Sequence, residues 1–494
     1  MVAPLSTLLQ GLVDSAVPDL QVTGLTLDSR RVNRGDLFMA MPGNRAQGHT
    51  FVAAAVAAGA VAVLFDERVG QIEGGDVPAI AVADLAHKAG VVAERFYGHP
   101  SAALLMVGVT GTNGKTTCSH FIAQALDGQP TASAVVGTLG NGPVGRLDVA
   151  THTTPDALSL HAMLRGFVDE GIGQVAMEVS SHGLDQGRVS GVCFDVAVFT
   201  NLSRDHLDYH GDMESYGRAK ARLFAMPGLR HAVINGDDQF GQQLLAQLPA
   251  AVEGVVYTLE QIQEPIHFDL PTVRGRLLTV GREGLQLMVD SPWGSSQFTS
   301  PLLGRFNASN LLAVLATLLV AGMPFVTALK RLEMLQTVPG RMERFGVAGQ
   351  PLVVVDYAHT PDALEQVLLT LREHCDGQLW CLFGCGGDRD QGKRPLMGAI
   401  AERLADRLVV TDDNPRYEDG QQIINEILAG MVSPQKVVVI RARDAAIHHA
   451  IRHASSGDVV LIAGKGHEDY QLEGATKRPF SDRAQVEAVL RAAA

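Results

Sequence analysis

The sequence predicts an α/β protein of three domains, and three observations carry this. Short apolar runs rich in Val, Ile and Leu recur along the chain, and each leads into a polar, often glycine-containing loop, the pattern of buried parallel strands feeding helices. Aromatic residues make up only 5% while hydrophobic residues make up 46% and Gly counts 52. Cores therefore rest on small aliphatic side chains with many tight turns, which suits layered α/β architecture. The length of 494 residues, at about 150 residues per domain, corresponds to roughly three domains.

The elements follow in order. Residues 1–100 hold candidate strands at 36–40, 60–65 and 79–82 and an Ala-rich helix near 51–58, an N-terminal α/β domain. The turn-rich Tyr97-Gly98-His99-Pro100-Ser101 marks its end. Residues 101–337 read as a central P-loop-type domain with a parallel sheet. Its strands at 104–109, 174–179, 196–200 and 231–234 lead into GTNGKTT, a loop after Glu178, NLSRDHLDYH and NGDD. The stretch 255–300 alternates and predicts antiparallel strands, and a helix over Asn307–Ala321 closes the domain. After a boundary near Gln336–Arg341, residues 338–494 predict a Rossmann-like α/β domain. Strands at 352–356, 379–383, 407–411 and 458–463 end in DYAHTPDAL, GCGGDRDQGKR, DDNPR and GKGHEDY. Ligands bind outside the carboxyl ends of such strands, so each α/β block predicts its own ligand face.

Composition narrows the function classes. Lys and Arg count 40 against 53 Asp and Glu, a formal charge of −13, which argues against a general nucleic-acid binder. The five cysteines, Cys118, Cys193, Cys375, Cys381 and Cys385, fit a reducing compartment rather than a disulfide framework. Cys381 and Cys385 have no partner pair at metal-ligand spacing and read as packing residues. The first residues carry Asp14 and Asp19 and no basic region, unlike a secretory signal. The apolar run Leu311–Met323 is too short to span a bilayer. A cytoplasmic monomer without membrane insertion is the expectation.

The chemistry concentrates at the loops. Gly111-Thr112-Asn113-Gly114-Lys115-Thr116-Thr117 lies between an apolar strand and a helix. Its backbone N–H groups would cradle phosphates, Lys115 would neutralise them and the Thr116 hydroxyl could hold Mg²⁺. The loop is a variant, with Val109 where the general P-loop pattern has glycine. Glu178, at a strand end beside that loop, reads either as a direct or water-mediated Mg²⁺ ligand or as a solvated acid. His206 could ligate a cation or be a surface histidine, and Lys220, by composition alone, reads as a solvated lysine.

GTNGKTT, EVSSHGL, TNLSRDHLDYHG, GRFNASN and DYAHTPDAL, with Lys220 ten residues beyond His210, together resemble the Mur ligase family, ATP-dependent amide-forming ligases of peptidoglycan precursor synthesis. GCGGDRDQGKR, TDDNPR and GKGHEDYQ narrow the resemblance to members that add diaminopimelate. The resemblance covers nearly the whole chain and implies two small-molecule substrates. UDP-N-acetylmuramoyl-L-Ala-D-Glu would be activated by ATP at its D-Glu γ-carboxylate, and meso-2,6-diaminopimelate would then attack the acyl phosphate.

It also implies roles by position. Lys115, Lys220, Glu178 and His206 would be catalytic. Lys220 would be carbamylated and, with Glu178 and His206, hold one Mg²⁺, while Thr116 serves another. The ATP site would comprise Gly111 to Thr117 with Asn310, Arg341, Asp356 and His359, the last three reaching the nucleotide through domain closure. Leu27, Ser29, Asn44, Arg45 and Ala46 would contact uridine and diphosphate, although such loops are also ordinary turns. His152, Thr153, Thr154, Ser180, Gln186 and Arg188 would contact sugar and peptide, with His152 standing where related enzymes commonly have Asn. Arg389, Asp413, Asn414, Pro415, Arg416, Gly464 and Glu468 would bind diaminopimelate. Arg416 would offer a planar fork to the far carboxylate that lysine lacks, and Glu468 would meet the distal ammonium. A salt-bridged turn is the plain alternative for Asp413–Arg416. L-lysine or glutamate as the amine, and a binding protein without turnover, are the competing readings.

Overall fold

The computed structural model describes residues 1–14, 16–41, 47–72, 74–259, 269–347 and 349–492. The chain divides into two compact units, one of Met1–Thr258, Pro265–Val273 and Ala313–Ala328, the other of Leu259–Glu264, Arg274–Leu312 and Leu329–Ala494.

The first unit opens with the antiparallel pair β1 (Ala3–Pro4) and β2 (Gln21–Val22). A parallel sheet follows, β3 (Gly24–Thr26), β4 (Asp36–Ala40), β5 (Ala62–Asp66) and β6 (Ala79–Val82), paired in that order. Every residue of β4 and β5 is buried, as apolar strands covered on both faces require. The larger sheet contains β7 (Leu105–Thr110), β8 (Ala132–Gly137), β9 (Gly140–Pro143), β10 (Ile172–Glu178), β11 (Val196–Phe199), β12 (His231–Asn235) and β13 (Glu253–Leu259). Its order here is β13-β12-β11-β7-β10-β8-β9, parallel except for the β8–β9 hairpin. β7 sits centrally, with β10 on one side and β11 on the other, so the loop after β7 opens at a topological switch point. The strands at 105–110, 172–178, 196–199 and 231–235 lie where the sequence placed them. β8 was not foreseen: its run Ala132-Ser133-Ala134-Val135-Val136-Gly137 is small-residue-rich and weakly apolar, and only sheet pairing with β10 makes it a strand.

An antiparallel meander follows, β14 (Thr272–Gly281), β15 (Gly284–Ser291) and β16 (Gly294–Ser300), in the second unit from Arg274 on. The antiparallel strands expected over 255–300 are found here, whereas 255–259 lies in β13, whose apolar run pairs parallel with β12. The main sheet of the second unit contains β17 (Glu343–Phe345), β18 (Leu352–Asp356), β19 (Leu379–Phe383), β20 (Arg407–Val410), β21 (Val438–Val439) and β22 (Val459–Ala463). The order is β17-β18-β22-β19-β20-β21, and all but β17 run parallel. Side chains alternate across this sheet. Leu379, Cys381 and Phe383 face a core shared with Leu364, Leu368, Met397 and Ile427. Trp380 and Leu382 face another with Ile447, Ile451, Val486 and Val489. Helices thus cover both faces, a three-layer α/β sandwich. The hairpin β23 (Tyr470–Glu473) and β24 (Thr476–Pro479) extends beyond β22.

The α/β class is borne out. Cys381 and Cys385 are buried packing residues, with Cys385 Sγ 3.8 Å from Met397 Sδ. No helix of the described residues is long and apolar enough to cross a membrane.

Candidate active sites

In the first unit the chain leaves β7 through Gly111–Gly114 and enters the helix Lys115–Leu126. Gly111 has φ +150°, and a Cβ there would strike Thr200 Oγ1, so the close approach of the loop to β11 demands glycine. The segment after β11 clamps the loop. Thr112 N donates to Asn201 O at 2.8 Å, Asn113 N to Asn201 Oδ1 at 3.0 Å, and Thr200 Oγ1 to Asn113 O at 2.6 Å. The helix begins at Gly114, which offers no side-chain cap. The first-turn N–H groups of a helix have no intrahelical acceptor, and an anion satisfies them together with the helix dipole. Lys115 Nζ donates to Gly111 O at 2.9 Å and Thr112 O at 2.7 Å, folded over the loop that would receive phosphates.

Glu178 ends β10 and is 1% exposed. Its Oε2 accepts from Thr116 Oγ1 at 2.8 Å and Thr138 Oγ1 at 3.2 Å, and its Oε1 from Thr138 N at 2.7 Å. The solvated-acid reading of Glu178 therefore fails. Hard oxygen donors at a P-loop suit Mg²⁺, so Thr116 and Glu178 fit that ion. Thr138, which the sequence reading missed, completes the carboxylate's shell and bonds Thr153 Oγ1 at 3.0 Å.

Lys220 also departs from the solvated reading. It lies on the helix Met213–Ala221, is 1% exposed, and its Nζ donates to Gly111 O at 2.7 Å. The amine stands 4.4 Å above the Tyr216 ring. Burial, aided by the nearby Lys115 charge, lowers its pKa to about 6, so a large share of the amine is neutral at pH 7.

His206, with φ 52°, pairs with Asp205 at 3.5 Å. Its ring packs edge-on to His182 at 4.9 Å. His210 Nε2 lies 3.0 Å from Ser181 Oγ. Burial and the neighbouring histidines hold the His182 pKa below its ordinary value. Among the described residues, no three His, Cys, Asp or Glu side chains gather as a metal site. An unmodified Lys220 offers no anionic oxygen to a metal ion.

The expected sugar and peptide contacts divide. Thr154 Oγ1 donates to Glu178 O at 2.9 Å and accepts from Ser180 N at 3.0 Å. Arg188 Nη1 donates to Thr154 O at 2.9 Å and Nη2 to Gln186 Oε1 at 2.6 Å. Gln186 Nε2 reaches Tyr209 OH at 3.2 Å. These residues form one connected network beside Glu178. His152 is exposed, with Nδ1 3.2 Å from Thr151 Oγ1. Leu27 and Ser29 lie apart, after β3. There Asp28 accepts from Arg30 N at 3.0 Å and Arg30 Nε at 2.9 Å, and the Arg30 side-chain hydrogen bond lowers the Asp28 pKa to about 2. Asn44, Arg45 and Ala46 lie outside the described residues.

In the second unit the loops after β18, β19, β20 and β22 form the other candidate site. Asp356 is buried; its Oδ2 accepts from Met342 N at 2.7 Å and Oδ1 from Ala358 N at 2.8 Å, while burial raises its pKa. Arg341 lies over the Tyr357 ring at 5.0 Å, and His359 Nδ1 is 2.7 Å from Tyr357 O. Asn310 Nδ2 donates to Asn307 Oδ1 at 3.1 Å on the helix Arg305–Val320.

Asp413 and Asn414 are 7% and 4% exposed, and Asp413 Oδ1 lies 3.5 Å from Lys465 Nζ, so the turn Asp413–Arg416 is largely buried and salt-bridged at its first residue. Arg416 has φ 52°. That conformation is held by Arg416 N to Leu472 O at 3.1 Å and Gly474 N to Arg416 O at 2.6 Å. Its Nη1 donates to Gly387 O at 2.6 Å, and its other guanidinium nitrogens bond to no described residue. Gly464 has φ +116°, and a Cβ there would come 2.8 Å from Asp413 Oδ2. Glu468 Oε2 accepts from Asn414 Nδ2 at 2.9 Å. Arg389 is exposed, with Nη1 3.4 Å from Asp388 O. The non-glycine residues with positive φ include His206, Met342, Asp388 and Arg416, backbone strain gathered at these loops. Lys465 and Arg394, both 0% exposed, were not singled out by the sequence reading, although both lie inside motifs it quoted.

Fold and site together define an α/β protein with a nucleotide-type P-loop in one unit and a cluster of charged loops at strand ends in the other. Family descriptions match along the chain: "Mur ligase family, catalytic domain" over residues 21–97, "Mur ligase middle domain" over 109–318 and "Mur ligase, glutamate ligase domain" over 340–466. The chain belongs to the Mur ligase family. It is 52% identical over 485 residues to UDP-N-acetylmuramoyl-L-alanyl-D-glutamate–2,6-diaminopimelate ligase of Pseudomonas aeruginosa, covering 98% of both chains. It is 51% identical over 493 residues to the protein of the same name from Chromobacterium violaceum, covering 97% of this chain and 98% of that one. A solved structure of a ligase with that name aligns over 100% of this chain and 99% of its own, at 38% identity and a TM-score of 0.77. MurF ligase from Thermotoga maritima in complex with ADP shares the fold at 18% identity, with a TM-score of 0.59 over 95% of this chain and 97% of its own.

Proposed function

We propose that this chain is an ATP-dependent ligase that adds meso-2,6-diaminopimelate to the D-Glu γ-carboxylate of UDP-N-acetylmuramoyl-L-Ala-D-Glu. The observation that carries the reading is the presence of Arg416 and Glu468 in one loop cluster, linked through Asn414 and Leu472. A guanidinium with unused donors and a carboxylate with an unused oxygen complement the far carboxylate and ammonium of diaminopimelate. The end-to-end likeness to ligases of that name supports it. The matched stretches fall inside divisions at 1–100, 101–337 and 338–494, which we take as the UDP-sugar, ATP and amino-acid domains.

A carboxylate is a poor electrophile: its charge repels nucleophiles and its oxide is a poor leaving group. Attack of the γ-carboxylate on the ATP γ-phosphorus forms a C–O–P bond and expels ADP, which removes both obstacles. The neutral amine of diaminopimelate then attacks the acyl carbon, the amide forms, phosphate departs and the nitrogen sheds a proton. Two anions must first be brought together. Lys115 and the helix N-terminus at Gly114 supply positive potential. Mg²⁺, when held by Thr116 and Glu178, supplies further neutralisation. Thr154, Ser180, Gln186 and Arg188 position the sugar-peptide beside Glu178. Asn310, Arg341, Asp356 and His359 belong to the nucleotide site in this reading, as do Leu27, Ser29, Asn44, Arg45, Ala46, His152 and Thr153 to the UDP-sugar-peptide site. Arg389, Asp413, Asn414, Pro415 and Gly464 complete the amine site. A neutral Lys220 amine is the form that adds CO₂, and the resulting carbamate would be the anionic oxygen ligand that joins Glu178 and His206 around a second Mg²⁺.

The test is phosphate release with ATP, Mg²⁺ and the UDP-dipeptide, comparing meso-diaminopimelate, L-lysine and no amine, with product mass as confirmation. Release with diaminopimelate alone is expected. Equal release with L-lysine removes Arg416 as selector, and ATP binding without turnover under all three conditions removes the ligase reading.

A further inference from the structure

Lys465 is a fully enclosed cation of the second site, 0% exposed. Its ammonium has three N–H donors and three oxygens face it: Asn414 Oδ1 at 3.0 Å, Glu468 Oε2 at 3.0 Å and Asp413 Oδ1 at 3.5 Å. No donor is left over for a substrate, so Lys465 acts through its partners. Its effect on Asn414 is directional. The two ends of an amide are nearly isosteric, and their orientation follows the hydrogen bonds around them. Asn414 Oδ1 takes both Lys465 Nζ and Leu472 N, the latter at 3.0 Å. Nδ2 is thereby turned to Glu468 Oε2 at 2.9 Å. Oε2 of Glu468 is occupied by two donors, while its Oε1 bonds to no described residue. The same amide side chain ties β23, through Leu472, to the loop bearing Arg416, whose N–H also bonds Leu472 O at 3.1 Å.

We infer that Lys465 is a positioning residue that sets the amine specificity of this site: it fixes the Asn414 amide, aims Glu468 Oε1 at the distal ammonium of the incoming amino acid, and holds that carboxylate at a set distance from Arg416. The inference rests on the amine site of the proposed function. A lysine engaged by Glu468 and Asn414 within its own chain leaves the substrate ammonium one carboxylate oxygen, which discriminates an amino acid with a second cationic centre from one without.

Lys465→Met keeps the stem and removes the ammonium. In the full-length protein it is expected to raise the KM for diaminopimelate at least tenfold, with kcat at saturation within about threefold and the KM values for ATP and the UDP-dipeptide within about twofold. Lys465→Met/Glu468→Gln separates positioning from stability, because it removes the carboxylate left unpaired in the single variant. The double variant is expected to recover Tm while its KM for diaminopimelate is no higher than that of Glu468→Gln alone, because a residue acting through Glu468 has nothing left to position once that carboxylate is gone. An unchanged KM for diaminopimelate in a folded Lys465→Met protein overturns the inference. So does a double variant whose KM for diaminopimelate exceeds that of Glu468→Gln alone by the full factor seen for Lys465→Met, the additivity that a merely structural lysine would produce. If the unsubstituted protein uses no diaminopimelate, the proposed function falls and takes this assignment with it; if it does and only the variant result disagrees, the Lys465 assignment alone falls.

Discussion

Two lysines, one in each unit, are buried to the same degree and kept in opposite company. Lys220 is 1% exposed and Lys465 is 0% exposed. Lys220 meets a backbone carbonyl, an aromatic face and the charge of Lys115. Lys465 meets two carboxylates and an amide oxygen. Burial alone therefore does not decide what a lysine does. Removed from water beside another cation, it sheds its proton and becomes a nucleophile; ion-paired among carboxylates, it serves as a fixed counter-charge. The first state suits covalent modification at the phosphate end of the reaction, the second the orientation of an amino acid.

The comparison breaks most decisively through activity. Lys220→Ala should lower ligation by about 10³-fold, the scale of removing electrostatic support from a charged transition state. Mass spectrometry of the native protein should show one added CO₂ on Lys220. Full activity of Lys220→Ala, with or without bicarbonate, would sink the modified-lysine reading.

Paired and unpaired cations should then part in stability. Arg443 and Asp482 are both 0% exposed at the side chain and bonded at 2.7 Å. Arg443→Met strands the buried carboxylate and should cost roughly 3–5 kcal/mol of unfolding free energy in denaturant titration.

Lys220→Met should do the reverse. The Lys220 pKa falls from 10.5 to about 6 on folding. Between those values the unfolded chain binds more protons than the folded one, so this group makes stability rise with pH across that window. Replacing it should stabilise the protein in bicarbonate-free buffer at pH 7 by about 2–4 kcal/mol, a gain that fades toward pH 10.5. A gain independent of pH would show that packing rather than charge is responsible.

The smallest expected effect is in selectivity. Arg416→Ala should reduce the preference for diaminopimelate over L-lysine by about 10- to 100-fold, the worth of a charge-assisted bond. Retention of a strong preference would move the selector elsewhere in the loop cluster.

Much of this was legible in the sequence. β7, β10, β11, β18, β19, β20 and β22 announce themselves as apolar runs ending in polar loops, because strands buried on both faces allow little else. The P-loop is legible because a phosphate cradle between strand and helix needs glycine at fixed places, as Gly111 shows. β8 was not legible, since its small residues become a strand only by pairing. Thr138 carries no motif and matters because it meets a carboxylate 40 residues away.

What the sequence by itself determined is local: which segments are strands, where loops leave them, and which charged residues those loops carry. Tertiary structure alone decided the state of those charges. Lys220 reads as a surface lysine until the fold lays it against Gly111, 109 residues away, and Lys465 is one of eight lysines until Asp413 and Asn414 close over it from more than 50 residues away. Propensity and periodicity act over a few residues, whereas desolvation and Coulomb energy depend on which distant groups share a low-dielectric volume, and that is fixed only when the chain packs.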